Sequence, residues 1–258
     1  MHPPVLVLPR LIQHGYILTG PAVGYQRHVG VDSYPLTVAN PAELLLAQLR
    51  PWNQPNRTAY QTRNPDADKW ATQRLAVRHL DAIDQLLTEL SETRNVAVYQ
   101  RHFSSWAADV FAYPQGWNAA GSAQVDMAAL EHLENLAEFL RSYVPELKPT
   151  GEAELRGYVK LVQSTVEEDQ SIPADLRIHL REVVSHLLRC LDEYETVGAF
   201  ELQKALENLA ATVLRTAANS GNKSKWKPTM DGFVWPFAVS VMSALPSAAL
   251  AQLLPGMS

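Results

Sequence analysis

The last 27 residues limit what this chain can fold into more than any other stretch. From Gly232 to Ser258 no residue is charged, and 16 of the 22 positions in 233–254 are apolar. As one helix those 22 residues would span roughly 33 Å, close to the ~30 Å hydrocarbon thickness of a bilayer. Either a membrane or the protein's own core must receive them. At ~0.3–0.6 kcal/mol for each Leu, Val and Phe, membrane insertion would gain roughly 3–5 kcal/mol. Pro236, Ser240, Ser243, Pro246, Ser247 and Gln252 erode that gain and leave insertion marginal. In water each proline costs ~3 kcal/mol inside a helix, so the segment should break into two short helices that bury against a helical body.

The body is long enough to supply that core. The chain has 258 residues, 47% of them hydrophobic and 19% charged, which suits one large domain or two small ones. Its single cysteine, Cys190, precludes an internal disulfide and suits a reducing compartment. Apolar pairs in 5–8 and 17–18 are interrupted by Pro9, Arg10, Gln13 and His14, so no continuous signal-peptide core forms. The expected location is cytoplasmic, with membrane association as the alternative state.

Charge divides the chain: residues 1–100 carry a net +1, 101–220 carry −8 and 221–258 carry +2. An acidic middle repels phosphate backbones, and no nucleic-acid partner is expected. Nine of the 17 prolines fall in the first 65 residues beside Gly15, Gly20, Gly24 and Gly30. This predicts irregular chain that wraps a helical body, with short extended pieces at 5–8 and 16–18. No phosphate-binding glycine motif is present there.

Helix signals begin at Asn40-Pro41-Ala42-Glu43, where Asn40 can cap, Pro41 suits the first helical position and Glu43 can close a capping box. Pro51 should end this helix at Arg50. The same signal at Asn64-Pro65-Asp66 predicts a long helix to about Thr93. A further helix over 96–113 carries Tyr99, Phe103, Trp106, Val110 and Phe111, an aromatic stripe expected in the core. After a turn-rich 114–122, four helices follow at 126–144, 150–168, 172–194 and 196–218. Their short connections are the pattern of an up-down bundle.

The fold class is therefore all-α: a multi-helix bundle with a proline-rich, mostly irregular N-terminal segment and a hydrophobic C-terminal helical segment. The expected division is a wrap with one short helix at 1–63, a bundle at 64–220, and a basic linker with the apolar segment at 221–258.

The run Pro173-Ala174-Asp175-Leu176-Arg177, with Leu191-Asp192-Glu193-Tyr194, Gly198 and Ala205-Leu206-Glu207, resembles a segment in uncharacterised helical proteins of bacterial genomes. Some of these carry a hydrophobic C-terminal segment. The resemblance covers about 35 residues and implies a helical fold in a prokaryotic or phage setting, with no catalytic motif.

Chemistry is sparse. His179, Glu182 and His186, spaced i, i+3 and i+7, share a helix face and are weak candidates for a zinc or iron site. At ~100° per residue they fall on the flank away from the apolar stripe of Leu180 and Leu187, so no metal or other cofactor is expected. His132-Leu133-Glu134 lacks the cysteine pair of a zinc deaminase. Glu131, Glu134 and Glu138 lack partner Glu-x-x-His motifs, and His102, Ser104 and Ser105 lack a nucleophile elbow. Cys190 falls beside an apolar face as a small core residue.

The sequence thus leans away from an enzyme. It points to an interaction module of a bacterial or phage conflict system, acting by binding a protein partner or by self-association. The alternative is a conditional membrane effector, in which the 233–254 segment inserts and Lys223, Lys225 and Lys227 meet anionic headgroups, and a distant third is a metal-dependent enzyme at His179, Glu182 and His186. For the first two, the candidate contact residues are Lys223, Lys225, Trp226, Lys227, Phe233, Trp235 and Phe237.

Overall fold

A computed structural model of the chain describes residues 40–233 and 235–238. The extended pieces expected at 5–8 and 16–18, and most of the apolar 233–254 segment, lie outside the described residues. Within them the protein is all-α, with nine helices and no strand.

Helix α1 (Pro41–Trp52) starts as its sequence dictates. The Asn40 side chain accepts the Ala42 and Glu43 N–H groups, and Glu43 accepts the Asn40 N–H in return. It runs two residues past its expected end. Pro51 sits in the last turn, the Asn53 N–H closes on the Leu49 and Arg50 carbonyls, and Trp52 is carried into the interior. Leu45 and Leu49 are fully buried where α1 packs on the helices Ala71–Ser91 and Met127–Leu140.

The long helix expected from Asn64 begins only at Ala71, and Asn64 ends a separate short helix that was not expected. The short α2 (Ala59–Arg63) ends at Asn64, which adopts the left-handed conformation (φ 42°) that asparagine tolerates better than most residues. The chain then turns through Lys69 and Trp70, also at positive φ, before α3 (Ala71–Ser91). Asp68 supplies the missing cap by accepting the Thr72 N–H at 2.8 Å. Helices α4 (Ala97–Phe111) and α5 (Met127–Leu140) follow, the latter capped by Asp126 on the Ala128 N–H.

Helices α1, α3, α4 and α5 enclose a first core around Leu87, Trp106, Leu133 and Leu140. The predicted run of four bundle helices is divided at this point. The Pro145 and Pro149 connection carries the chain from Val144, in the first core, to Leu147, packed on a second. That second core is built by α6 (Gly151–Glu168), α7 (Ala174–Asp192), α8 (Tyr194–Asn219) and α9 (Lys223–Asp231). The apolar face read on α7 is buried there, with Leu176, Leu180, Val183, Val184, Leu187 and Leu191 inside. Helix α9 occupies what the sequence suggested was a linker.

Helix α8 joins the two cores. Gly198 interrupts it at φ 83°, ψ 174°, a conformation essentially confined to glycine, close to the start of the helix expected over 196–218. Past the break, Ala199 and Phe200 enter the first core, while Leu202, Leu206 and Leu209 on the same stretch fill the second. Beyond α9 the chain lies extended against the connection between α5 and α6. The Ala238 N–H donates to the Glu146 carbonyl and the Lys148 N–H to the Pro236 carbonyl. Gly151 permits this close approach, since a Cβ there would stand 2.6 Å from the Pro236 oxygen.

Candidate functional site

The residues proposed from sequence as outward contacts divide into two sets. Lys223, Lys225 and Lys227 are exposed on α9. Trp226 is 1% exposed, Phe233 packs edge-on against Tyr158, Trp235 is half-buried, and Phe237 is fully buried. The aromatic members thus line the protein's own second core, because an amphipathic α9 turns Trp226 inward while its lysines face water.

Trp226 is held by a polar clasp. Asp169, 2% exposed, accepts the Ser171 N–H and O–H on Oδ1. Its Oδ2 accepts the Ser220 hydroxyl at 2.5 Å and the Trp226 indole N–H at 2.9 Å. Burial alone would raise this carboxyl's pKa, but the donors from Ser171, Ser220 and Trp226 together outweigh it and hold the group well below the usual carboxylate range. The clasp fastens the end of α6, the entry to α7, the end of α8 and α9 to one another.

His179, Glu182 and His186 are exposed along α7, and among the described residues no three His, Cys, Asp or Glu side chains converge to hold a metal ion. Cys190 is buried, and burial pushes its thiol up to about 11, which makes it a poor nucleophile. His102 and His132, from α4 and α5, stack with ring centroids 3.6 Å apart. No helix among the described residues is long and apolar enough to cross a membrane.

The arrangement that does gather unusual side chains is the loop end of the first core. Here the chain before and through α2 is knitted to the loop between α4 and α5: the Gln54 N–H donates to the Ala123 carbonyl, the Ala123 N–H to Arg57, and the Tyr60 N–H to Trp117. Arg63 is buried beneath them. Its guanidinium donates to the Asp109 carbonyl at 2.6 Å and to the Val110 carbonyl, which places a cation at the C-terminus of α4. The same group lies 4.5 Å from the Trp52 ring centroid and 4.9 Å from that of Trp117. Burial lowers its pKa to about 10, so it stays charged at neutral pH. Trp117 in turn packs on Trp70 at 4.9 Å.

Beside this frame, a cleft of about 450 Å³ opens between the end of α4 and the start of α5. Ser105, Asp109, Tyr113, Gln115, Gln124 and Asp126 line it, and none of its lining residues is basic. Asp109 Oδ1 accepts the Asp126 N–H at 3.3 Å, while its Oδ2 is buried with no protein donor. Burial, reinforced by the neighbouring Asp126 charge, raises this carboxyl to about 6 against the opposing Asp126 N–H and Arg63.

Around the cleft and its frame, large apolar side chains are exposed among polar ones such as Arg57, Gln61 and Lys69. Seven large hydrophobic side chains are exposed among the described residues, and five of them lie on this loop end: Tyr60, Trp70, Phe111, Tyr113 and Met127. Phe111 was expected in the core with its helix-mates, yet it is half exposed. Sequence reasoning passed over the cleft because its residues are dispersed over 105–126 and form no motif. Comparison with protein-family models, with curated proteins and with solved structures finds no match.

Proposed function

We propose that the protein is a non-enzymatic interaction module that binds another protein through the loop end of its first core. The observation that carries this reading is the concentration there of exposed aromatic and methionine side chains. Tyr113 is 72% exposed, Met127 59% and Phe111 50%, on a frame stiffened by the buried Arg63 and its two indoles. Solvating such side chains in one patch is unfavourable, and Tyr, Trp, Phe and Met are the types enriched where proteins dock. A rigid scaffold under the patch reduces the ordering cost of association.

The alternative of a membrane effector meets an energetic obstacle. Releasing the apolar end would draw Phe233 and Phe237 out of the second core, at about 2–3 kcal/mol each. That cost matches or exceeds the roughly 3–5 kcal/mol available from insertion, so release needs an added driving force.

The test is differential capture. Wild-type protein and a Phe111→Ser/Tyr113→Ser/Met127→Ser variant, matched by circular dichroism, are used as baits in extracts of the source cells. A partner retained by the wild type and lost by the variant supports the reading. A wild-type dimer that the variant abolishes in light scattering supports it too, with a second copy as the partner. Identical captures and identical masses for both proteins refute it.

A further inference from the structure

The cleft beside the aromatic patch has a chemistry of its own. Its volume, about 450 Å³, falls in the range of clefts that enclose small groups. Its walls offer two carboxylates, Asp109 and Asp126, and the amide and hydroxyl oxygens of Ser105, Gln115 and Gln124, with no cation among them. Arg63 acts on Asp109 through its charge alone: it directs its terminal N–H groups to the main-chain carbonyls of Asp109 and Val110 and lies beside two indoles. Asp109 Oδ2 is buried behind the cleft wall without a protein donor, and Tyr113, also lining the cleft, is exposed.

We infer that the cleft receives a guanidinium-bearing side chain of the partner protein, seated against Asp109 and Asp126 with its plane over the Tyr113 ring. The inference rests on the protein-binding reading above and names the partner's chemistry. Charge complementarity selects a cation. Among cations, a guanidinium is planar, weakly hydrated and rich in donors, so it can serve two carboxylates and an aromatic face at once, which a compact and strongly hydrated ammonium does less well.

The probe is the peptide acetyl-Gly-Arg-Gly-amide, titrated into the isotopically labelled full chain and followed by amide chemical shifts. Its lysine counterpart and its uncharged citrulline counterpart are run beside it. The expected result is saturable shifts at Tyr113, Gln115 and Gln124, with citrulline and lysine each weaker, citrulline by about tenfold or more. Asp109→Asn should weaken arginine binding by a similar factor. Asp126→Ser should weaken it as well while retaining the α5 cap, since serine caps nearly as well as aspartate, and it keeps the test decisive if the Asp109 variant misfolds.

No saturable shift at these residues overturns the inference. So does equal binding of the citrulline or lysine peptide, or undiminished arginine binding by the folded variants. Peptide binding with unchanged partner capture by the triple surface variant would refute the docking reading alone. Lost capture without peptide binding would refute the cleft assignment alone.

Discussion

Replacing Asp169 by Asn should loosen the whole second core, and the size of the effect can be worked from its four donors. Each carboxylate oxygen accepts two of them, one N–H and one hydroxyl: Ser171 N–H with Ser171 O–H, and Trp226 Nε1–H with Ser220 O–H. In the amide, one oxygen becomes NH₂. The serine hydroxyl facing it can rotate and accept, but the N–H facing it, whether the Ser171 backbone or the Trp226 indole, cannot. One charge-assisted hydrogen bond is lost, worth about 1.5–3 kcal/mol, and a buried donor is left unpaired at a further cost of about 1–3 kcal/mol. The expected loss is about 3–5 kcal/mol, a large fraction of the 5–15 kcal/mol typical of a domain. Urea unfolding followed by circular dichroism measures it, and hydrogen exchange should show α9 losing protection before α7. Trp226→Phe keeps the ring but removes the donor, so a double-mutant cycle with Asp169→Asn should be markedly non-additive. The pH dependence has a definite sign. The folded carboxyl lies below its unfolded value, so its contribution is present above about pH 4 and is lost as pH falls further. A loss under about 1 kcal/mol for Asp169→Asn, with α9 exchange unchanged, would refute this account of the clasp.

Other perturbations give equally definite expectations. His79 is 2% exposed, and burial, aided by Arg78, lowers its pKa to about 4. The unfolded chain therefore takes up this proton first, and stability should decline by about 3 kcal/mol as pH falls from 6.5 to 4; His79→Leu should flatten that slope in denaturation at several pH values. Asp109 acts in the opposite sense: raised to about 6, it is protonated in the folded state first, so its contribution declines as pH rises from about 4 to 6, and Asp109→Asn should be at least as stable as wild type at pH 7. Gly198→Ala should cost about 1–3 kcal/mol in chemical denaturation, because φ 83° with ψ 174° excludes a side chain. Gly151→Ala should displace the 235–238 segment, read as faster exchange of the Lys148 and Ala238 amides, since its Cβ would meet the Pro236 carbonyl.

How much was legible in the sequence depended on whether a signal had one physical meaning. Asn40-Pro41-Ala42-Glu43 did, and α1 begins there. Asn64-Pro65 did not: asparagine before proline suits a helix start, yet asparagine also tolerates the left-handed conformation that ends α2, and here tertiary packing chose the second use. Helix α9 was hidden by three lysines and Pro228, with Trp226 as its one large buried apolar side chain. The exposure of Phe111 was recoverable. At 100° per residue Tyr99, Phe103, Trp106 and Val110 fall within about 60° of one another, and Phe111 lies about 140° from Trp106. The orphaned oxygen of Asp109 was not recoverable, because its isolation follows from how the end of α4 meets the start of α5.

The break at Gly198 also governs how the molecule comes apart. Phe200 is 4% exposed and, with Ala199, belongs to the first core, yet most of the buried residues of the helix that carries them are anchored in the second. A fragment ending at residue 144 would lack that ring and keep a void where it stood. Melting either half removes a wall of the other, so thermal unfolding should register as a single cooperative transition. Dissecting the chain between α5 and α6, at the proline-marked connection that looks like a domain boundary, would therefore yield two pieces that each fold less well than the whole.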